Sequence, residues 1–238
     1  MLDGYAMMPR QRIIMADNHM LLETNEPRFI VIEGPIGVGK TSLATRLAHT
    51  FDSDLILEKA EDNPFLERFY RDPRHAALPT QLFFLFQRVR QIEQLHQTDL
   101  FSPVRVADFL LDKDRLFAEL NLDHHELILY DRVVDSLGLR PPTPDLVVYL
   151  QAPADVLMRR IMSRGIPYEK NINRDYLERL GEAYAKFFYN FDAAPLLIVN
   201  AATIDPIHHE VEYEELLCAI NDVNRGRHFF NPAAQSIA

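Results

Sequence analysis

Three of the chain's eight glycines, Gly34, Gly37 and Gly39, fall within six residues in the run Glu33-Gly34-Pro35-Ile36-Gly37-Val38-Gly39-Lys40-Thr41-Ser42. The spacing is GxxxxGK[ST], a loop whose backbone N–H groups wrap a chain of phosphates. A helix starting just after it adds its own free N–H groups to the anion site. Gly34, Gly37, Val38, Gly39, Lys40, Thr41 and Ser42 form the candidate phosphate-binding set. In it Lys40 reaches the terminal phosphates of ATP and the Thr41 hydroxyl ligates Mg²⁺. A glycine-rich turn that binds nothing would not need Lys and Thr in register behind a strand.

Two carboxylates stand at the ends of apolar runs. Val104-Arg105-Val106-Ala107-Asp108 ends in Asp108, placed to hold Mg²⁺ beside Thr41, or alternatively to cap a helix. Asp54-Leu55-Ile56-Leu57-Glu58 ends in Glu58, a candidate general base for an attacking hydroxyl, or one half of a solvated pair with Lys59. Arg159, Arg160 and Arg164 lie within six residues and end at Gly165, with Arg160 and Arg164 on one helical face. They complement a helix dipole or form a lid over phosphates; the lid is favoured because guanidinium matches phosphate geometry. In the helical stretch Leu78–Leu95, Gln81 and Arg88 share a face with Leu85 and Ile92. Such polar groups in an apolar stripe either snorkel at an exposed edge or line a pocket.

These residues need elements to position them, and the pattern supplies a regular alternation. Strand candidates are Phe29–Glu33, Asp54–Leu57, Val104–Ala107, Leu146–Leu150 and Leu196–Val199, with long helical stretches between them. That pattern predicts an α/β fold with a five-stranded parallel sheet and helices on both faces. Pro79 suits the first turn of its helix. One domain is expected over residues 27–225, flanked by a poorly ordered extension at 1–26 and a loose tail at 226–238. Five of the seven methionines lie in the first 20 residues, so a start downstream of Met1 is an open reading.

A net charge of −10 argues against a general nucleic-acid binder, which needs clustered Lys and Arg. Cys218 is the single cysteine, which rules out an intrachain disulfide and a zinc site of thiolates and fits a reducing cytoplasm. No run of 18 apolar residues is present to span a membrane, and no secretory leader is expected. No Asn-Lys-x-Asp guanine-reading motif follows the loop, which counts against a GTPase.

Several motifs together resemble the deoxyribonucleoside kinases, in the branch of the deoxyadenosine, deoxyguanosine and deoxycytidine enzymes, over about Arg28 to Val199. The resemblance implies the P-loop kinase fold with an Arg-rich lid, ATP and Mg²⁺ as cofactors, a deoxyribonucleoside substrate, and a homodimer through long helices. It assigns Glu58, 18 residues after Lys40, to the proton of the 5′-hydroxyl. Gln81 and Arg88 would read the base, Asp114 would pair with that Arg and help read it, and Phe117 would stack on it. Tyr70 and Glu169 would hold the 3′-hydroxyl. Arg160 and Arg164 match lid arginines that act in catalysis with Lys40. A charged Arg88/Asp114 pair points to the purine nucleosides first and deoxycytidine next.

One departure stands out. The family's acid-Arg-Ser reads Asp108-Phe109-Leu110 here, so the arginine and serine are missing. Arg105, Lys113, Arg115 and Arg132 are the cations that would replace that charge. Two other readings stay open. A nucleoside monophosphate kinase would need cations where this chain offers Glu58 and Glu169. A regulator that binds ATP without turnover would account for Phe109-Leu110 but not for the acceptor-side set.

Overall fold

The computed structural model describes residues 12–16, 19–23, 28–97 and 104–232. Strands β1 (Arg12–Ala16) and β2 (His19–Glu23) pair antiparallel, with Met15 opposite Met20. This hairpin lies within the stretch expected to be a poorly ordered extension; the rest of that stretch falls outside the described residues.

The main sheet contains β3 (Arg28–Glu33), β4 (Asp54–Ile56), β5 (Val104–Ala107), β6 (Leu146–Gln151), β7 (Leu196–Asn200) and β8 (Arg227–Phe230). All pairs are parallel, in the order β4-β5-β3-β6-β7-β8. The sheet thus has six strands where the sequence predicts five. The sixth, β8, falls in the expected tail. It is exposed except at Phe230, so it shows none of the apolar run that marks the central strands.

Helices α1 (Lys40–Thr50), α6 (Ala154–Arg164) and α8 (Glu210–Asp222) cover one face, and α4 (Lys113–Asn121) and α7 (Arg174–Tyr189) pack on the other. Alternation along β6 divides the core. Leu146, Val148 and Leu150 join the α1 side, whereas Val147 and Tyr149 join the α7 side. Burial on both faces is what makes these strands nearly uniform in apolar character.

Helix α3 (Pro73–Gln97) reaches the end of β4 through Gln91, which donates to the Leu57 carbonyl at 2.7 Å, and it packs against α2 (Leu66–Arg71), α4 and α5 (His124–Leu137). A capping box between Asp123 and Glu126 starts α5, and Gly138, at φ 56°, ends it. Helix α3 starts five residues earlier than expected, which places Pro79 inside it and costs the bond to the His75 carbonyl. Among the described residues no helix is long and apolar enough to cross a membrane.

Candidate active site

The phosphate loop runs from the end of β3, at the sheet centre, into α1. Gly34 is obligatory there: a Cβ would lie 2.4 Å from the Leu150 carbonyl oxygen, at a φ of +151°. Lys40, the first residue of α1, folds back so that its ammonium donates to the carbonyls of Gly34 at 2.7 Å and Pro35 at 3.3 Å. Burial and the nearby Lys113 push its pKa down. The Thr41 hydroxyl donates to Asp108 Oδ2 at 2.5 Å, and the Glu58 amide donates to Asp108 Oδ1 at 2.7 Å. Asp108 therefore ties the donor loop to the loop carrying Glu58. It does not cap α4, whose N-cap position belongs to Asp112.

Glu58 lies two residues beyond β4 and is not paired with Lys59. Arg88, buried on α3, donates to Glu58 Oε1 and to Asp114 Oδ1. Lys113 approaches the other Glu58 oxygen at 3.4 Å. Burial alone would raise the Glu58 carboxyl, but Arg88, Lys113 and Lys40 outweigh it and hold it down to about 2. At Asp114 the balance reverses: burial lifts the carboxyl to about 6 despite Arg88.

Gln81 and Arg88 are 5% and 3% exposed, so their face of α3 is a pocket wall and not a snorkelling edge. The Gln81 amide donates to the Asp114 carbonyl at 3.2 Å. Both side chains line a cavity of about 210 Å³ together with Glu58, Tyr70, Phe117 and Glu169. Lys40, Thr41 and Asp108 line the same cavity. Phe117 meets the Tyr184 ring edge to face, and Tyr70 stacks on Tyr168. Asp114 is not part of this wall; it stands behind Arg88 and faces a groove beside α5.

The two lid arginines do different work. Arg164 reaches the cavity and pairs with Glu169 at 2.6 Å. Arg160 donates to the backbone carbonyls of Val38 at 3.0 Å and Ala201 at 2.8 Å. It braces the phosphate loop against the end of β7, and a second depression beside it is lined by Val38, Leu150 and Ile204.

Phe109 and Leu110 are 4% exposed and packed in the apolar α7-side core. Of the four cations named as replacements, Lys113 lines the cavity, whereas Arg115 is half-exposed and paired with Glu119 and Asp131. Sequence reasoning missed Glu33, which is fully buried at the end of β3. Its carboxylate accepts from the Gly34 amide at 2.8 Å, the Leu110 amide at 2.8 Å and the Tyr184 hydroxyl at 2.9 Å. The available signal was a carboxylate closing an apolar strand directly before the glycine loop.

The arrangement joins a triphosphate site to a small organic pocket through one carboxylate. Known proteins resemble the chain in sequence and fold. The deoxynucleoside kinase family profile matches residues 30–224. A deoxyguanosine kinase of Bacillus subtilis is 34% identical over 205 residues, covering 84% of this chain and 99% of that protein. A deoxyadenosine kinase of Lactobacillus acidophilus is 28% identical over 207 residues, covering 81% of this chain and 94% of the relative. In fold, the chain superposes on the deoxyadenosine kinase of M. mycoides with bound dATP at a TM-score of 0.71 and 24% identity, covering 82% of this chain and 100% of the other. The chain belongs to the deoxynucleoside kinase family.

Proposed function

We propose that the protein transfers the γ-phosphoryl group of ATP, or of another nucleoside triphosphate, to the 5′-hydroxyl of a deoxyribonucleoside in nucleotide salvage, with purine nucleosides preferred. The observation that carries this reading is the single cavity whose wall holds Lys40 and Thr41 at one end and Gln81, Arg88, Tyr70 and Glu169 at the other, with Glu58 between them. Glu58 orients the 5′-hydroxyl by accepting its hydrogen bond. A carboxylate held near 2 is a weak proton acceptor, so it receives the proton late, once the bond to phosphorus has formed. Lys40 leaves the Gly34 carbonyl for the donor phosphates, and Arg164 neutralises charge from the lid. Arg160 serves catalysis by holding the loop in shape. Tyr70 and Glu169 hold the 3′-hydroxyl.

The fit for Mg²⁺ is good: Thr41 Oγ1 and Asp108 Oδ2, two hard oxygens 2.5 Å apart, match an ion that takes few protein ligands and several phosphate oxygens. When bound, it neutralises charge across the β- and γ-phosphates.

Purine preference rests on Arg88, whose guanidinium donates to N7 or O6 acceptors, and on the names of the relatives. Nucleotide salvage draws on ATP, which implies a cytoplasmic enzyme. A homodimer is supported by exposed Phe86 on α3 and by Ile128 and Leu129 on α5, which gel filtration tests. A steady-state screen of the four deoxynucleosides with ATP and Mg²⁺ tests the function. Turnover is expected to be fastest with deoxyguanosine or deoxyadenosine, and background rates with all four would end the proposal. Including the monophosphates as acceptors separates a monophosphate kinase.

A further inference from the structure

We infer that Lys113 is a second cation of the reaction centre, a positioning residue that grips the Glu58 oxygen left free by Arg88. The inference rests on the kinase reading above. Lys113 is 2% exposed, and its ammonium lies 3.4 Å from both Glu58 Oε2 and Glu33 Oε2. A fully buried ammonium is rare and costly, so its position needs a cause.

Helix stability is not that cause. Lys113 is the first residue of α4, where a cation opposes the helix dipole. Glu33 lies equally near and helps to hold the charge, but its carboxylate already accepts from two backbone amides and the Tyr184 hydroxyl. Glu58 is different. Its carboxylate contacts are Arg88 on one oxygen and Lys113 on the other. Together they fix the carboxylate's orientation, so an incoming hydroxyl meets a prearranged acceptor. The position also explains how the chain dispenses with a charged residue at 109. That side chain points into the core, and the cation enters the cavity from the next helix instead.

A double-mutant cycle between Lys113→Met and Glu58→Gln tests this. Loss of one positioning group is expected to lower kcat about 100-fold, with nucleoside KM and ATP affinity within about threefold of wild type. Because Lys113 acts through Glu58, the double variant should be no slower than Glu58→Gln alone, within about threefold. A double variant slowed by the product of the two single effects would overturn the inference, as would a Lys113→Met enzyme with near-wild-type kcat. If Lys113→Met does not fold, Lys113→Gln, which keeps a polar donor but no charge, takes its place in the cycle with the same two outcomes. Background turnover by the wild-type chain would overturn the kinase reading, and this inference with it.

Discussion

Replacing Asp114 by Asn should make the protein more stable at neutral pH and a worse enzyme. Burial moves the Asp114 carboxyl from 3.8 to about 6, and its side chain is 7% exposed, so solvent screens little of the effect. A displacement of that size is worth about 3 kcal/mol. The folded state binds this proton more tightly than the unfolded chain does. Stability therefore falls as pH rises from about 4 to about 6, and the whole penalty stands at pH 7. Glu58 acts in the other direction and in a lower window: held at about 2 against 4.5, it adds stability as pH rises between those values. Asn keeps an oxygen for Arg88 but carries no charge. Urea melts followed by far-UV circular dichroism suit a chain without tryptophan. The variant should exceed wild type by about 2–3 kcal/mol at pH 7 and match it near pH 4. Its kcat/KM for the nucleoside should fall, because Arg88 loses a charged partner that fixes it. An Asp114→Asn protein less stable than wild type at pH 7, or with the wild-type slope between pH 4 and 6, would refute the assignment.

Gly34→Ala places a methyl 2.4 Å from the Leu150 carbonyl oxygen, so ATP affinity by titration calorimetry should drop at least about tenfold and the melting midpoint should fall. Phe109→Arg restores the family's arginine in sequence but forces a guanidinium into the apolar α7-side core, at a cost of about 3 kcal/mol or more. It should melt earlier and show no gain in turnover; a faster enzyme would mean that the side chain finds the cavity after all.

The parallel core was legible because each central strand is an apolar run buried on both faces, as in Ile30-Val31-Ile32 and Leu146–Leu150. Strand β8 was not, since an edge strand with one buried residue carries no such pattern. The start of α3 was misplaced because a proline inside a helix reads as a first-turn residue, and only packing against α2 decides otherwise. The donor-side candidates could be named from the sequence because they are local to one loop, and the structure brings Lys40, Thr41 and Asp108 to one cavity. Gln81, Arg88 and Glu58 could be named as candidates and line one cavity, but the bond of Arg88 to Glu58 was not legible, since it joins α3 to a loop 30 residues away. For the same reason Asp114 was expected at the base and stands one layer behind it. The roles of Glu33 and Lys113 exist only once β3, the β5 loop and α4 converge.

Strand β8 also bears on where this protein can be cut. The family profile stops at residue 224, three residues short of it. Arg227 ties the strand to the end of α7 through the carbonyls of Phe188 and Tyr189, and Phe230 closes the α1-side core. A chain trimmed at the family boundary would bare the ladder groups of β7 beside Leu196, Leu197 and Val199, which are at most 1% exposed in the intact protein. An uncovered apolar edge is a template for pairing with other chains. The boundary drawn by homology is thus the wrong one for producing a soluble protein, and a fusion partner belongs beyond Phe230.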